Sequence, residues 1–392
     1  MTPDGFPVVG IVGAGQLARM TYQAAIALGV GVRVLAERPD ESAARVCPLV
    51  DIGSPNSRAD LTAFAAHCDV VTLDHELVDD ETLEVIEAAG GIVRPGARAL
   101  RFAKDKLHQR TEFARAGLPV PPFAEVRTAD DITSFAATHG WPVVVKAQRG
   151  GYDGRGVWVL NGPAAAADLV REAATRATPL MAETFVPIER ELAVLIARRP
   201  GGECVVYPVV ETVQRYGICH EVIAPADIPA AVAEEARQIG LRIAELTGVT
   251  GIFATELFLV DGALVINEVA TRPHNSGHFS MDACATSQFE NHLRAVLDWP
   301  LGPTDLLAPH VVMANLLGED RESLASRMPS AVALPGGVHP HLYGKEVRPG
   351  RKVGHVNAWG SDAEETRARA VHAAALLTGR RVTSMSPGGR NS

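Results

Sequence analysis

Residues 7–13, Pro-Val-Val-Gly-Ile-Val-Gly, form a short apolar run that ends on glycine, and Leu17, Met20, Ala24, Ala27 and Leu28 follow it at helical spacing. A strand that is apolar throughout, rather than alternating, has to be covered on both faces, so the run points to a parallel sheet flanked by helices. The pattern then repeats. Gly29 stops the helix, Val30–Ala36 supplies a second strand, and Val70–Leu73 and Gly91–Val93 read as later parallel strands around a helix-like stretch at 80–89. The first 95 residues therefore predict a small doubly wound α/β domain.

Arg94-Pro95-Gly96 breaks this pattern ahead of a helical stretch near 104–116, and Gly117-Leu118-Pro119-Val120-Pro121-Pro122 reads as a stiff connector, which puts a boundary near 95–120. Next come an apolar run at 141–146, a glycine-dense loop at 150–156, a strand at 157–160, a helix near 163–176 and a strand around 180–186. Residues 191–197, 204–213, 252–260 and 263–269 are β-rich, with a long helix at 228–247. A strand at 309–316, a basic run at 345–352 and a last helix at 362–378 precede a tail expected to fray. This part of the chain predicts mixed α+β structure.

With 392 residues, 47% of them hydrophobic, there is material for two or three cores. The 46 acidic residues outnumber the 37 basic ones, leaving a formal net charge of −9, so no global positive field exists to hold nucleic acid or anionic lipid. An anionic substrate must be met by a local basic cluster. No uncharged apolar run approaches the roughly 18 residues needed to cross a bilayer, and Met1–Gly5 carries no basic leader, so the expected compartment is the cytoplasm. The five cysteines, Cys47, Cys68, Cys204, Cys219 and Cys284, are scattered without a C-x-x-C pair and are expected to be ordinary buried thiols.

Five motifs can carry chemistry. Gly13-x-Gly15-x-x-Ala18 lies between strand and helix, with Glu37 about twenty residues on, close to a dinucleotide fingerprint. A nicotinamide or flavin site, a plain structural turn, and a wall for another ligand all fit that turn. Gly150-Gly151-Tyr152-Asp153-Gly154-Arg155-Gly156 follows Lys146, and four glycines in seven residues can bring backbone N–H groups onto phosphate oxygens. Glu256 and Glu268 lie on two apolar runs joined by the turn signal Asp261-Gly262. Acids so placed are costly to bury unless neutralised, and Mg²⁺ bridging phosphates suits two carboxylates plus Asn267. A strict two-residue turn would set Glu256 opposite Asn267; both glutamates can hold one metal only if the loop has three residues or the ladder carries a bulge. Arg272-Pro273-His274-Asn275-Ser276-Gly277-His278 and Lys345-Glu346-Val347-Arg348-Pro349-Gly350-Arg351-Lys352 each concentrate cations and donors in loops suited to a phosphate or a polar ring. A zinc site at His274 and His278 is not expected, because no third ligand is evident.

Taken together, the glycine turn, Lys146, the glycine loop, Glu183, Glu191 and Asn267-Glu268 resemble the ATP-grasp superfamily. Gly-Ala-Gly-Gln-Leu-Ala-Arg-Met at 13–20, the 150–156 and 272–278 loops and Lys-Glu-Val-Arg-Pro-Gly-Arg-Lys-Val-Gly-His at 345–355 are similar to the N5-carboxyaminoimidazole ribonucleotide synthetase family within it, over residues 8–360. Ala18 stands where that family often has glycine. The resemblance implies an ATP-grasp architecture of mixed α/β and α+β class. Its parts would be an N-terminal doubly wound parallel-sheet domain at 1–100, a linker and central ATP-lid domain at 101–187, and a C-terminal mixed domain at 188–392.

It also implies a reaction in which ATP, bicarbonate and 5-aminoimidazole ribonucleotide give the N5-carboxylated ribonucleotide by way of carboxyphosphate, in a cytoplasmic homodimer. On that basis Lys106 and Lys146 contact the ATP phosphates, with Gly151, Tyr152, Asp153, Gly154, Arg155, Gly156 and Val157 as a lid. Glu183, Thr184, Phe185 and Val186 meet adenine, largely through backbone atoms, Glu191 takes the ribose hydroxyls, and Gln214 lies nearby. Glu256, Glu268 and Asn267 hold Mg²⁺. Gln16, Glu76, Ser276, Lys345, Arg348 and Arg351 bind the ribonucleotide, and Tyr152, Asp153, Arg155, Arg272 and His274 act on it, Asp153 orienting the ring amine. Competing expectations are another ATP-grasp ligase, formate-dependent or biotin-carboxylase-like, a nicotinamide-dependent oxidoreductase using Gly13–Ala18, and a catalytically silent nucleotide-binding regulator.

Overall fold

In the computed structural model, residues 2, 4–151, 156–319 and 324–380 are described. The opening apolar run becomes β1 (Val8–Val12), buried at every position, and it pairs in parallel with β2 (Gly31–Ala36) and β4 (Val70–Leu73), while β3 (Leu49–Ile52) adds to β2. Strand order β3-β2-β1-β4 is that of a doubly wound sheet, with one core on each face built around Val9, Ile11 and Val34 and around Val12, Leu35 and Leu73. Where a last parallel strand is expected at Gly91–Val93, the chain makes only a single bridge, Val71 to Val93.

The helix expected near 104–116 is broken. Asp105 is extended, with φ −121° and ψ 103°, and its carboxylate accepts from the His108 amide, so it ends the helix Ala97–Lys104 and caps a second one, Lys106–Arg115. That break puts Lys106 on the first turn of a new helix.

The second unit is an antiparallel sheet of β5 (Phe123–Val126), β6 (Val143–Ala147), β7 (Val157–Leu160) and β8 (Leu180–Thr184) in the order β5-β8-β6-β7. The helices Ala129–His139 and Pro163–Thr175 cover it around Val143, Val145, Ile132 and Leu169. Thr128 and Asp131 form a capping box on the first helix, and Pro163 opens the second, where its missing N–H is harmless.

The remaining strands are β9 (Arg190–Arg198), β10 (Cys204–Val206), β11 (Val210–Arg215), β12 (Ile218–Ala224), β13 (Gly251–Val260), β14 (Ala263–Ala270), β15 (His310–Leu317), β16 (His339–Leu342) and β17 (Lys352–Gly360). They form one continuous sheet, β14-β13-β9-β11-β12-β15-β17-β16, with β10 on β9. The helix Ala230–Thr247 covers one end, and Ala363–Thr378, capped by Asp362, covers the other. Cys47, Cys219 and Cys284 are buried as expected, Cys68 and Cys204 are only half-buried, and among the described residues no two of them form a disulfide. Among the described residues no helix is long and apolar enough to cross a membrane.

Candidate active site

The decisive local event is in the β13–β14 hairpin. Asp261 and Gly262 form a two-residue turn with φ of 49° and 77°, and Val260 pairs with Ala263. Positive φ at both central residues is the geometry whose twist matches a hairpin. Carried on unbroken, that register would face Glu256 with Asn267. Instead a bulge next to Glu256 takes Asn267 out of step, and Glu256 pairs directly with Glu268. The two carboxylates therefore lie side by side on one face. Glu191 of β9 pairs with Phe258 and so shares that face.

Around this pair stand two lysines. Lys106 Nζ lies 2.6 Å from Glu268 Oε2. Lys146 Nζ lies 2.7 Å from Glu183 Oε2 and 3.3 Å from Asn267 Oδ1, and Asn267 Nδ2 donates to Glu256 Oε2 at 3.1 Å. His274 completes the group, its Nε2 3.4 Å from Glu256 Oε1 and its Nδ1 2.8 Å from Ser276 Oγ. The structure thus gathers Lys106, Lys146, Glu183, Glu256, Asn267, Glu268, His274 and Ser276 from four separate stretches of chain: the helix Lys106–Arg115, β6, β8, and the β13–β14 hairpin with the loop after it.

Electrostatics divide the acids. Withdrawal from water and then the neighbouring Glu268 push the Glu256 carboxyl well up. Burial acts the same way on Glu268, but Lys106 beside it wins and holds it well below the usual carboxylate range. Glu191, with burial alone acting, is pushed up to about 7. At Glu183 burial is outweighed by Arg110 and Lys146, which keep it ionised; Lys146 is lowered by burial, against the pull of Glu183. Two opposed carboxylates with an amide oxygen beside them are hard oxygen donors, and a divalent cation would relieve the repulsion that raises Glu256, so this donor set fits Mg²⁺. Among the described residues no trio of His, Cys, Asp or Glu forms a metal cluster. A cation here would need further oxygens from elsewhere.

The glycine turn at 13–18 resolves differently. Asp74, just after β4, accepts from the Gly15 amide and, at 3.0 Å, from the Ala18 amide. The helix N-terminus that would face a pyrophosphate already has its anion, and Glu37 is exposed. Gln16 follows Gly15 on this clamped turn. Glu76, two residues past Asp74, takes Arg272 at 2.9 Å, tying the first unit to the end of β14.

Lys345 sits on a loop pinned to the first unit: Ser42 Oγ donates to the Tyr343 carbonyl and Arg45 Nη1 to that of Gly344 at 3.0 Å. Its Nζ lies 5.9 Å from the Tyr343 ring centroid. Arg348 pairs with Glu346 at 2.6 Å on the exposed side, and Arg351 reaches the Glu346 carbonyl at 3.4 Å. Thr184 ends β8, half-buried, its amide donating to the Pro122 carbonyl at 3.1 Å, and Phe185 after it is 48% exposed, leaving an apolar ring at the strand end, with Val186 half-buried beyond. Gln214 of β11 pairs with Cys219, next to a bulge that takes His220 of β12 out of step. Gly151, Gly156 and Val157 flank the glycine loop, whose Tyr152, Asp153, Gly154 and Arg155 fall outside the described residues.

Two residues of the site escape a sequence reading. Asp74 carried a signal, an acid at the C-terminal end of a parallel strand, where ligand-facing groups collect. Arg110, 1% exposed, is one turn along the helix from Lys106, and only that i,i+4 spacing placed both on one face.

Comparison with known proteins gives matches over most of the chain. Residues 7–104 match the ribonucleotide synthetase preATP-grasp domain, 111–289 the ATP-grasp domain, and 311–369 the phosphoribosylaminoimidazole carboxylase C-terminal domain. The N5-carboxyaminoimidazole ribonucleotide synthase of Mycobacterium tuberculosis is 49% identical over 389 residues, 96% of this chain and 89% of that one. The crystal structure of an ADP complex of N5-carboxyaminoimidazole ribonucleotide synthetase superposes with a TM-score of 0.86 at 35% identity, covering 94% of this chain and 96% of that one. The Aspergillus clavatus N5-carboxyaminoimidazole synthase in complex with ADP and 5-aminoimidazole ribonucleotide gives 0.86 at 29% identity, covering 95% and 98%.

Proposed function

The chain belongs to the N5-carboxyaminoimidazole ribonucleotide synthase family of ATP-grasp proteins, and from that premise we propose how its residues share the work. The protein is an ATP-dependent ligase of purine biosynthesis that carboxylates 5-aminoimidazole ribonucleotide with bicarbonate to N5-carboxyaminoimidazole ribonucleotide. The observation that carries the assignment is the Asn267 bulge, which sets Glu256 against Glu268 between Lys106 and Lys146. In our reading ATP lies across this group. Lys106 and Lys146 leave their carboxylate partners for phosphate oxygens, backbone atoms of 183–186 meet adenine, and Glu191 takes the ribose with Gln214 nearby. Gly151–Val157 close over the phosphates. Glu256, Glu268 and Asn267 would hold Mg²⁺, which would supply charge neutralisation for the transferring phosphoryl group.

A bicarbonate oxygen attacks the γ-phosphorus, the bond to ADP breaks, and carboxyphosphate forms. The exocyclic amine of the ribonucleotide then donates its lone pair to the carboxyl carbon, the bond to phosphate breaks, and the departing phosphate takes the amine proton. The protein's task is to position these anions and offset their charge. Gln16, Glu76, Arg272, His274 and Ser276 line the ribonucleotide side, with Tyr152, Asp153 and Arg155 from the lid. Lys345, Arg351 and Arg348 face the 5′-phosphate. We extend the proposal to domains at 1–100, 101–187 and 188–392 and to a cytoplasmic homodimer.

ADP release measured with each substrate omitted tests this reading: release should require both bicarbonate and the ribonucleotide, whereas formate replacing bicarbonate would move the chain to another ATP-grasp chemistry. Asp153→Ala should lower ribonucleotide-dependent turnover by about a hundredfold, as expected when a reacting group loses its orientation; an unchanged rate would displace Asp153 from the substrate side. Lys345→Ala should raise KM for the ribonucleotide about tenfold, the loss of one charge-assisted hydrogen bond, and leave KM for ATP alone. An equal rise in both would put Lys345 on the nucleotide side.

A further inference from the structure

We propose that Arg110 is a positioning residue for the reaction, setting the Asn267 bulge and the Glu183 carboxylate in one geometry; the inference rests on the reading of the nucleotide site above. Its side chain is 1% exposed and uses all three nitrogens. Nε donates to Glu183 Oε1 at 2.6 Å, Nη1 to Gln109 Oε1 at 2.7 Å, and Nη2 to the carbonyl of Asn267. Asn267 is the residue that the bulge takes out of step, and it is this slip that turns Glu268 to face Glu256. A bulged residue stands outside the regular ladder, so its orientation depends on what holds it. Here one arm of a guanidinium does so. The other arm fixes Glu183, whose second oxygen meets Lys146, and Lys146 in turn reaches the Asn267 side chain.

Thus a single planar fork, locked from the helix Lys106–Arg115, couples the register of the acid pair to the place of the cation opposite. Stability alone explains the arrangement poorly, because a buried ion pair commonly contributes no more than well-packed apolar side chains of similar volume. Geometry explains it better. Lysine could keep the charge and one of these bonds, but it cannot span both partners.

The test uses the full chain with Arg110→Lys and Arg110→Met. Titration calorimetry with ADP, with and without Mg²⁺, is read beside kcat, KM for the ribonucleotide and thermal melting. The strengthening of ADP binding by Mg²⁺ should shrink about tenfold in Arg110→Lys, the usual effect of losing a group that orients metal ligands. Turnover should fall about a hundredfold, while KM for the ribonucleotide stays within about twofold, as for a residue that does not touch that substrate. Unchanged Mg²⁺-linked ADP binding in Arg110→Lys would overturn the proposal. So would a parallel fall of every constant with melting temperature, or failure of both variants to fold, since either makes Arg110 a strut of the core. If the unsubstituted chain bound ADP without any response to Mg²⁺, the reading of the nucleotide site would fail first and this inference with it.

Discussion

Replacing Glu268 by Gln is expected to abolish ATP turnover while leaving the chain folded. Glu268 is the acid that Lys106 keeps ionised, and it faces Glu256 across the ladder, so it supplies most of the fixed negative charge available to a divalent cation. Glutamine keeps the shape and removes the charge, and Glu256, raised by burial and by Glu268 itself, would be the weaker ligand of the proposed pair. Loss of metal-assisted charge stabilisation is an effect of several kcal/mol, and about 4 kcal/mol corresponds to about a thousandfold in kcat. ADP release at saturating substrate, with circular dichroism as the check on folding, measures it. A rate within tenfold of the unsubstituted protein would remove Glu268 from the metal site.

Glu183→Gln should have the largest effect on stability. Its carboxylate is the common partner of Arg110 at 2.6 Å and Lys146 at 2.7 Å, with all three side chains a tenth exposed or less. Neutralising it leaves two buried cations facing one another. Breaking a buried pair of this kind costs about 3 kcal/mol or more, which for a domain of this size is a drop of about 6–12 °C in Tm. Thermal melting by circular dichroism reads it directly, and ADP binding should weaken as Lys146 loses its orientation. An unchanged Tm would mean that the charge triangle holds nothing together.

Most of the architecture was legible because its signals are local. The uniform apolar run at 8–12 marks a covered parallel strand, and Asp261-Gly262 marks a hairpin. The acid pair was legible only as a condition: the turn type alone points Glu268 to the wrong face, and a bulge leaves no mark in the residue pattern, since any residue can be the extra one. The Gly13–Ala18 turn shows the opposite problem. Its local pattern fits an anion site, but Asp74 arrives from 59 residues away to fill the Gly15 amide, and no nearby residue announces that. Arg110 is hidden for the same reason, since its partners Glu183 and Asn267 lie 73 and 157 residues along the chain. The helix break at Asp105 could have been read from its capping potential, yet the apolar spacing across it reads as one continuous helix.

In the proposed reaction this chain spends the γ-phosphoryl group of ATP on bicarbonate before the amine attacks. Bicarbonate labelled with ¹⁸O, supplied with ATP and 5-aminoimidazole ribonucleotide and sampled faster than it exchanges with water, tests that order through the mass of the phosphate released. One ¹⁸O in each phosphate, with two in the new carboxylate, is the predicted result; product formed alongside unlabelled phosphate would contradict it.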